Sequence, residues 1–174
     1  MVFNLLPATG SAAERRSRKF ENWLEKLPRW HDYFIWTPNP EAAWTTPVKP
    51  LSEARAALVS TAGIHLRSQP RFDVDSPDGD SSYRVIPADA APGDFLISDT
   101  HYDHADGDRD INCIFGLHRL HELAAEGVIG AVAPRHFGLM GFVPNPATLI
   151  AESAPMVAAA LVEDTVDLVL LTPG

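Results

Sequence analysis

The chain has 174 residues, 45% of them hydrophobic, enough to build one buried core and too few for two full domains. Fourteen basic against 23 acidic residues give a formal net charge of -9, which repels a phosphate backbone and an anionic membrane surface alike, so nucleic acid and membranes are not expected as partners. The longest apolar stretches, around residues 156–161 and 166–171, fall far short of the roughly 20 residues that a bilayer crossing needs.

The apolar start, Met1 to Leu6, is followed by Pro7, Gly10 and the basic run Arg15-Arg16-Ser17-Arg18-Lys19, the reverse order of a secretory signal. Cys113 is the single cysteine, which allows no intrachain disulfide and fits a reducing compartment. A cytoplasmic location is expected. Within residues 12–27, Phe20, Trp23, Leu24 and Leu27 recur at three- and four-residue spacing, predicting a short amphipathic helix that Pro28 ends. Trp30, Tyr33, Phe34, Trp36 and Trp44 then lie among Pro38, Pro40, Pro47 and Pro50, a mix that reads as an ordered aromatic arm over residues 1–50.

The domain proper is expected over residues 51–174. Ala56-Ala57-Leu58-Val59-Ser60 has the form of a buried parallel strand leading into the tight loop Thr61-Ala62-Gly63. Residues 69–82 hold Asp73, Asp75, Asp78 and Asp80 beside Pro70, Pro77 and Gly79; this is a surface loop, since its register does not match a calcium-binding loop. A second strand is predicted at 95–98, a helix at 111–126 with Asp110 as its N-cap and Gly127 as its stop, a third strand at 128–133, a helix at 147–163, and a last strand at 166–171. Strands alternating with helices predict an α/β domain: an open, mainly parallel sheet of flavodoxin-like or Rossmann-like type, with helices on its faces. The last strand is apolar on both faces, which predicts a place inside the sheet and a domain that is incomplete at its C-terminus.

Carboxyl ends of strands are where open α/β sheets bind their ligands. Three clusters are expected there: His65 after the first strand, His101, Tyr102 and Asp103 after the second, and Arg135 and His136 after the third. For a small carboxylate substrate such a pocket makes chemical sense, because arginine forks onto a carboxylate and histidine exchanges protons near neutral pH. A structural reading, with histidines capping loops and arginine paired to an internal aspartate, stands beside it. Ser98 to Gly107 resembles the Thr-His-x-His-x-Asp-His zinc signature of metallo-β-lactamase-fold hydrolases, but Asp103 stands where the second histidine belongs. A metal-dependent hydrolase using His101, Asp103 and His104 is therefore kept only as an alternative, and no metal is expected. His118 and His121, spaced i and i+3 with Glu122 nearby, read as surface groups, and Cys113 as a small buried hydrophobe. No G-x-G-x-x-G marks a nicotinamide or flavin site.

The order of motifs carries a resemblance. Arg55-Ala56-Ala57-Leu58-Val59-Ser60-Thr61-Ala62-Gly63-Ile64-His65-Leu66, Asp108-Arg109-Asp110-Ile111-Asn112-Cys113, Ala133-Pro134-Arg135-His136 and Leu170-Leu171-Thr172-Pro173 together resemble the glycine/sarcosine/betaine reductase selenoprotein B family, on the D-proline reductase side. The resemblance implies reductive cleavage of a carbon–nitrogen bond in an amino acid or its N-methylated derivative. It implies catalytic roles for His101, Arg135 and His136 and substrate contacts for His65, Asp103 and Arg109. It places a selenocysteine or cysteine just after Gly174, with no other cofactor in this chain, and a pyruvoyl-bearing partner subunit or a second copy of the chain as partners. A selenocysteine codon read as a stop would explain an end at Gly174. A non-catalytic assembly or regulatory subunit of such a reductase is the other reading.

Overall fold

The computed structural model describes Thr37, residues 45–100 and residues 102–173. The helix expected at 12–27, most of the aromatic arm and His101 lie outside the described residues. The strands are β1 (Arg55–Ser60), β2 (Ile64–Leu66), β3 (Arg84–Pro87), β4 (Phe95–Ile97), β5 (Ala131–Val132), β6 (Arg135–Gly138) and β7 (Leu168–Thr172). The helices are α1 (Leu117–Ala125) and α2 (Ala154–Glu163). This is an α/β fold whose main sheet is parallel except at one margin, where β3 runs antiparallel to β6.

β1 is the middle of that sheet. One side pairs with β7 over five positions, Ala56↔Leu168 through Ser60↔Thr172. The other side pairs with β5 near its start and with β6 near its end, so β5 and β6 behave as one strand interrupted by Ala133 and Pro134. Between Ala56↔Val132 and Val59↔Phe137, three steps on β1 face five on its partner, which is the measure of the bulge. β1 alternates as a strand covered on both faces should. Ala56 and Leu58 join Phe115, Leu117 and Leu120 of the α1 side, whereas Val59 joins Phe137, Leu149, Val157 and Leu161 of the α2 side.

The bulge removes a ladder acceptor and the sequence replaces it. The Pro134 carbonyl serves the other side of the sheet, accepting from Ala88 N at 3.0 Å where β3 pairs with β6. In its place the imidazole Nδ1 of His136 accepts the Leu58 backbone N–H at 2.9 Å. An unpaired N–H in a sheet interior costs about 1–3 kcal/mol, so a side chain is recruited as a piece of backbone ladder. His136 is fully buried and meets Phe115 edge-on, with 6.2 Å between ring centres. Because Nδ1 accepts, the ring is the neutral Nε2–H tautomer, whose Nε2–H is buried without a hydrogen-bond partner among the described residues, and burial, followed by the charge of His121, pushes its pKa down to about 4 from 6.5.

Several expected elements shift. The helix expected at 111–126 is broken: Asp110 caps a single 3-10 turn, Ile111–Cys113, by accepting from Asn112 N, and α1 starts only after Gly116. Cys113 on that turn is exposed, correcting its expected burial. The strand at 95–98 belongs to a separate two-stranded antiparallel sheet with β2, register His65↔Leu96, so it does not add to the parallel sheet. α2 begins with a widened turn, Leu149–Ser153, where Pro155 has no N–H to give. Among the described residues β7 pairs with β1 alone, and Leu170 and Leu171 are 42% and 75% exposed. Among the described residues no helix is long and apolar enough to cross a membrane.

The buried ring makes stability pH-dependent in a defined window. From pH 6.5 down to about 4 the unfolded imidazole takes a proton that folded His136 refuses, so stability present above pH 6.5 is lost as pH falls, by about 3 kcal/mol. Denaturant unfolding at pH 7.5 and 4.5 is expected to show this loss. The slope should flatten in His136→Asn, and equal slopes in the two proteins contradict it.

Candidate functional site

The carboxyl edge of the main sheet is built from three strand ends in register, Gly138 of β6, Ser60 of β1 and Thr172 of β7. Four loops close over it and are tied by main-chain hydrogen bonds: Thr61 N to Thr172 O at 3.0 Å, Gly63 N to Leu139 O at 2.8 Å, and Ser98 N to Gly63 O at 2.9 Å. Tyr102 adds its phenol hydrogen to Ala62 O at 3.0 Å. Gly63 makes the crossing possible. Its φ of +68° is in the left-handed region, and a Cβ there would stand 2.7 Å from Asp99 N.

This rim is polar at its floor. Asp99 is 2% exposed and Ser60 is fully buried, its hydroxyl accepting from Ala62 N at 3.3 Å. The Thr172 hydroxyl is buried without a hydrogen-bond partner among the described residues, while Thr61 on the adjoining loop is exposed. Burial, helped by the negative charges of Asp99 and Asp108, pushes the Tyr102 phenol far above its ordinary pKa, so it stays a proton donor across the physiological range. A carboxylate, a protonated phenol and hydroxyls at a strand-end rim can hold an ammonium group and carry protons.

The structure separates the residues that the sequence expectations gathered. Arg135 lies at the start of β6, away from the rim. Its Nε and NH2 hold both oxygens of Asp164 at 2.8 Å each, and NH2 also reaches Glu163 at 2.7 Å. This is the structural alternative: an arginine joining β6 to the end of α2. His136, next to it, is part of the ladder. His65 is 1% exposed on β2, between Leu66 O and the Ser98 hydroxyl. Asp103 is half-buried beside the rim loop and accepts from Ala105 N at 3.2 Å. Arg109 is exposed and paired with Asp106 at 2.9 Å, on a cleft of about 380 Å³ lined also by Arg67, Phe95, Leu96, Ile97 and Asp108.

His104, from the hydrolase alternative, has its Nδ1 2.9 Å from Asp108. Among the described residues no group of three or more His, Cys, Asp or Glu is placed to hold a metal ion. His121 bonds Ala88 O through Nε2, and Glu122 pairs with Arg119, so the helical histidine pair shares no ligand site. The sequence reading placed Tyr102 in the strand-end cluster but gave no role to it or to Asp99. The available signal was position: Asp99 directly follows an apolar strand and a polar Ser98.

Gly63→Ala combines a strained φ with a backbone clash and is expected to cost more than about 1 kcal/mol in denaturant unfolding. Wild-type stability in that variant contradicts the close crossing of the two loops.

Comparison with known proteins gives two matches. Residues 33–174 match the family described as glycine/sarcosine/betaine reductase selenoprotein B. The D-proline reductase subunit gamma of Acetoanaerobium sticklandii is 40% identical over 141 residues, which are 80% of this chain and 57% of that protein. The chain thus spans little more than half the length of that relative. No solved structure matches.

Proposed function

The chain belongs to the glycine/sarcosine/betaine reductase selenoprotein B family, and from that premise we propose that it is part of a reductase that cleaves a carbon–nitrogen bond in a small amino acid or its N-methylated derivative. The observation that carries this reading is the match over residues 33–174, which includes every strand of the described fold. Reductive cleavage takes two electrons and two protons: the C–N bond breaks, and one C–H and one N–H bond form. A selenol–thiol or dithiol pair supplies the electrons and ends as a selenenyl sulfide or disulfide. The selenocysteine or cysteine that the family implies would follow Gly174, beyond the carboxyl end of β7, and so emerge at the rim. A selenol or an activated thiol is the nucleophile as its anion.

In this proposal Asp99 faces the substrate nitrogen, and Tyr102, with its sequence neighbours His101 and Asp103, handles protons. Arg135 and His136 support the sheet. Arg109 lies on the cleft and His65 beneath Ser98, and both remain candidates for substrate contact. A pyruvoyl-bearing subunit or a second copy of the chain completes the assembly, in the cytoplasm. The exposed apolar margin at Leu170 and Leu171 favours a second reading, in which this chain serves assembly without carrying out the chemistry.

Two measurements test the proposal. Nucleotides after the Gly174 codon are expected to read UGA followed by an open frame with a nearby cysteine codon; UAA or UAG with no coding frame favours the assembly reading. In the reductase complex, Asp99→Asn and Tyr102→Phe are each expected to lower turnover by on the order of 10- to 100-fold, with melting temperature as the control. Turnover unchanged in both removes the rim from the chemistry.

A further inference from the structure

His65 and Ser98 are not used by the reductive chemistry, yet they are arranged as a hydroxyl and its base. The His65 ring has Nδ1 2.8 Å from Leu66 O and Nε2 2.8 Å from Ser98 Oγ. A carbonyl oxygen only accepts, so Nδ1 carries the ring hydrogen. Nε2 is then the bare nitrogen, and the Ser98 hydroxyl must donate to it. Serine to imidazole to a fixed acceptor is the order of groups that activates a serine nucleophile, with a main-chain carbonyl here in the orienting role.

The surrounding structure holds the pair in place. β2 and β4 pair in the register His65↔Leu96, and Ser98 N donates to Gly63 O, so the two residues stand two rungs apart, diagonally placed on one face of the ladder. Phe72 meets the His65 ring edge-on, 6.1 Å between centres. Burial, opposed by the Leu66 carbonyl and aided by the charges of Arg84 and Arg71, holds the imidazole pKa below its ordinary value, which keeps it a neutral base at physiological pH. His65 is 1% exposed and turns Nε2 toward the hydroxyl of Ser98, which is half-buried. Leu96 shares a face of β4 with Ser98, two residues on, and lines the 380 Å³ cleft together with Phe95 and Ile97.

We propose that Ser98 is a nucleophile for acyl transfer from small esters or thioesters, with His65 as its general base. Ser98 Oγ attacks the acyl carbon as its proton passes to His65 Nε2. The carbonyl reforms, and the alcohol or thiol leaves with that proton. Water, deprotonated by the same nitrogen, then releases the acid and regenerates the hydroxyl. This activity is independent of the reductive reading and of any residue beyond Gly174.

The test uses the full chain and a fluorophosphonate probe. The P–F bond breaks, Oγ–P forms, and fluoride leaves with the serine proton. Peptide mapping by mass spectrometry is expected to find the adduct on Ser98, formed at least about 10-fold faster than on any other serine. Ser98→Ala should abolish it. His65→Ala should slow it by at least about 10-fold, with added imidazole restoring part of the rate. Circular dichroism and melting follow the fold of both variants. Should His65→Ala fail to fold, the wild-type reaction with p-nitrophenyl acetate replaces it: a burst of nitrophenol stoichiometric with protein, absent in Ser98→Ala, supports the proposal. No adduct on Ser98, a rate unchanged in folded His65→Ala, or no burst overturns it, leaving the pair as a tie between β2 and β4.

Discussion

A parallel strand with neighbours on both sides and helices on both faces has no freedom to misplace a hydrogen bond, and β1 meets all four conditions. It is held by β7 on one side and by the interrupted β5–β6 strand on the other, with α1 and α2 elements above and below. The interruption at Ala133 and Pro134 would leave Leu58 N–H without an acceptor in the most buried part of the molecule. The ring of His136 fills that place. The rest of the sheet can be regular because one side chain absorbs the irregularity.

The bulge also sets what the carboxyl edge looks like. By advancing the partner strand two residues against β1, it brings Gly138 level with Ser60, and β7 brings Thr172 level with both. Gly138 has to be glycine, because a Cβ there would stand 2.0 Å from the Ile64 carbonyl of β2. The second, two-stranded sheet is thereby drawn against the first, and its strand end delivers Ser98 and Asp99 to the rim. Core packing and the candidate site are consequences of the same register.

The sequence disclosed the elements better than their company. β1, β4, β7 and α2 were legible because apolar runs and helical periodicity are local properties. Pairing is not local: nothing in Phe95-Leu96-Ile97-Ser98 says that it joins Ile64-His65-Leu66 in a sheet of its own. The break in the helix at Gly116 was obscured by apolar residues that fit a continuous pattern. Arg135 and His136 were placed on the rim because they follow an apolar strand, but the strand resumes after a bulge that proline alone hardly announces. The acidic residues that hold Arg135, Glu163 and Asp164, are 28 and 29 residues away in the chain. The family resemblance was carried by strings such as Ala133-Pro134-Arg135-His136, and the structure gives such a string a physical role. Its histidine supplies the acceptor that the Leu58 N–H takes where the strand is interrupted.

The account therefore rests on the state of one imidazole. Nitrogen-15 NMR of the histidine rings at neutral pH tests it most directly. His136 is expected to show an unprotonated, hydrogen-bonded Nδ1 and a protonated Nε2, with through-bond coupling from Nδ1 to the Leu58 amide. A protonated Nδ1, or rapid solvent exchange of the Leu58 amide while its β1 neighbours stay protected, would contradict it.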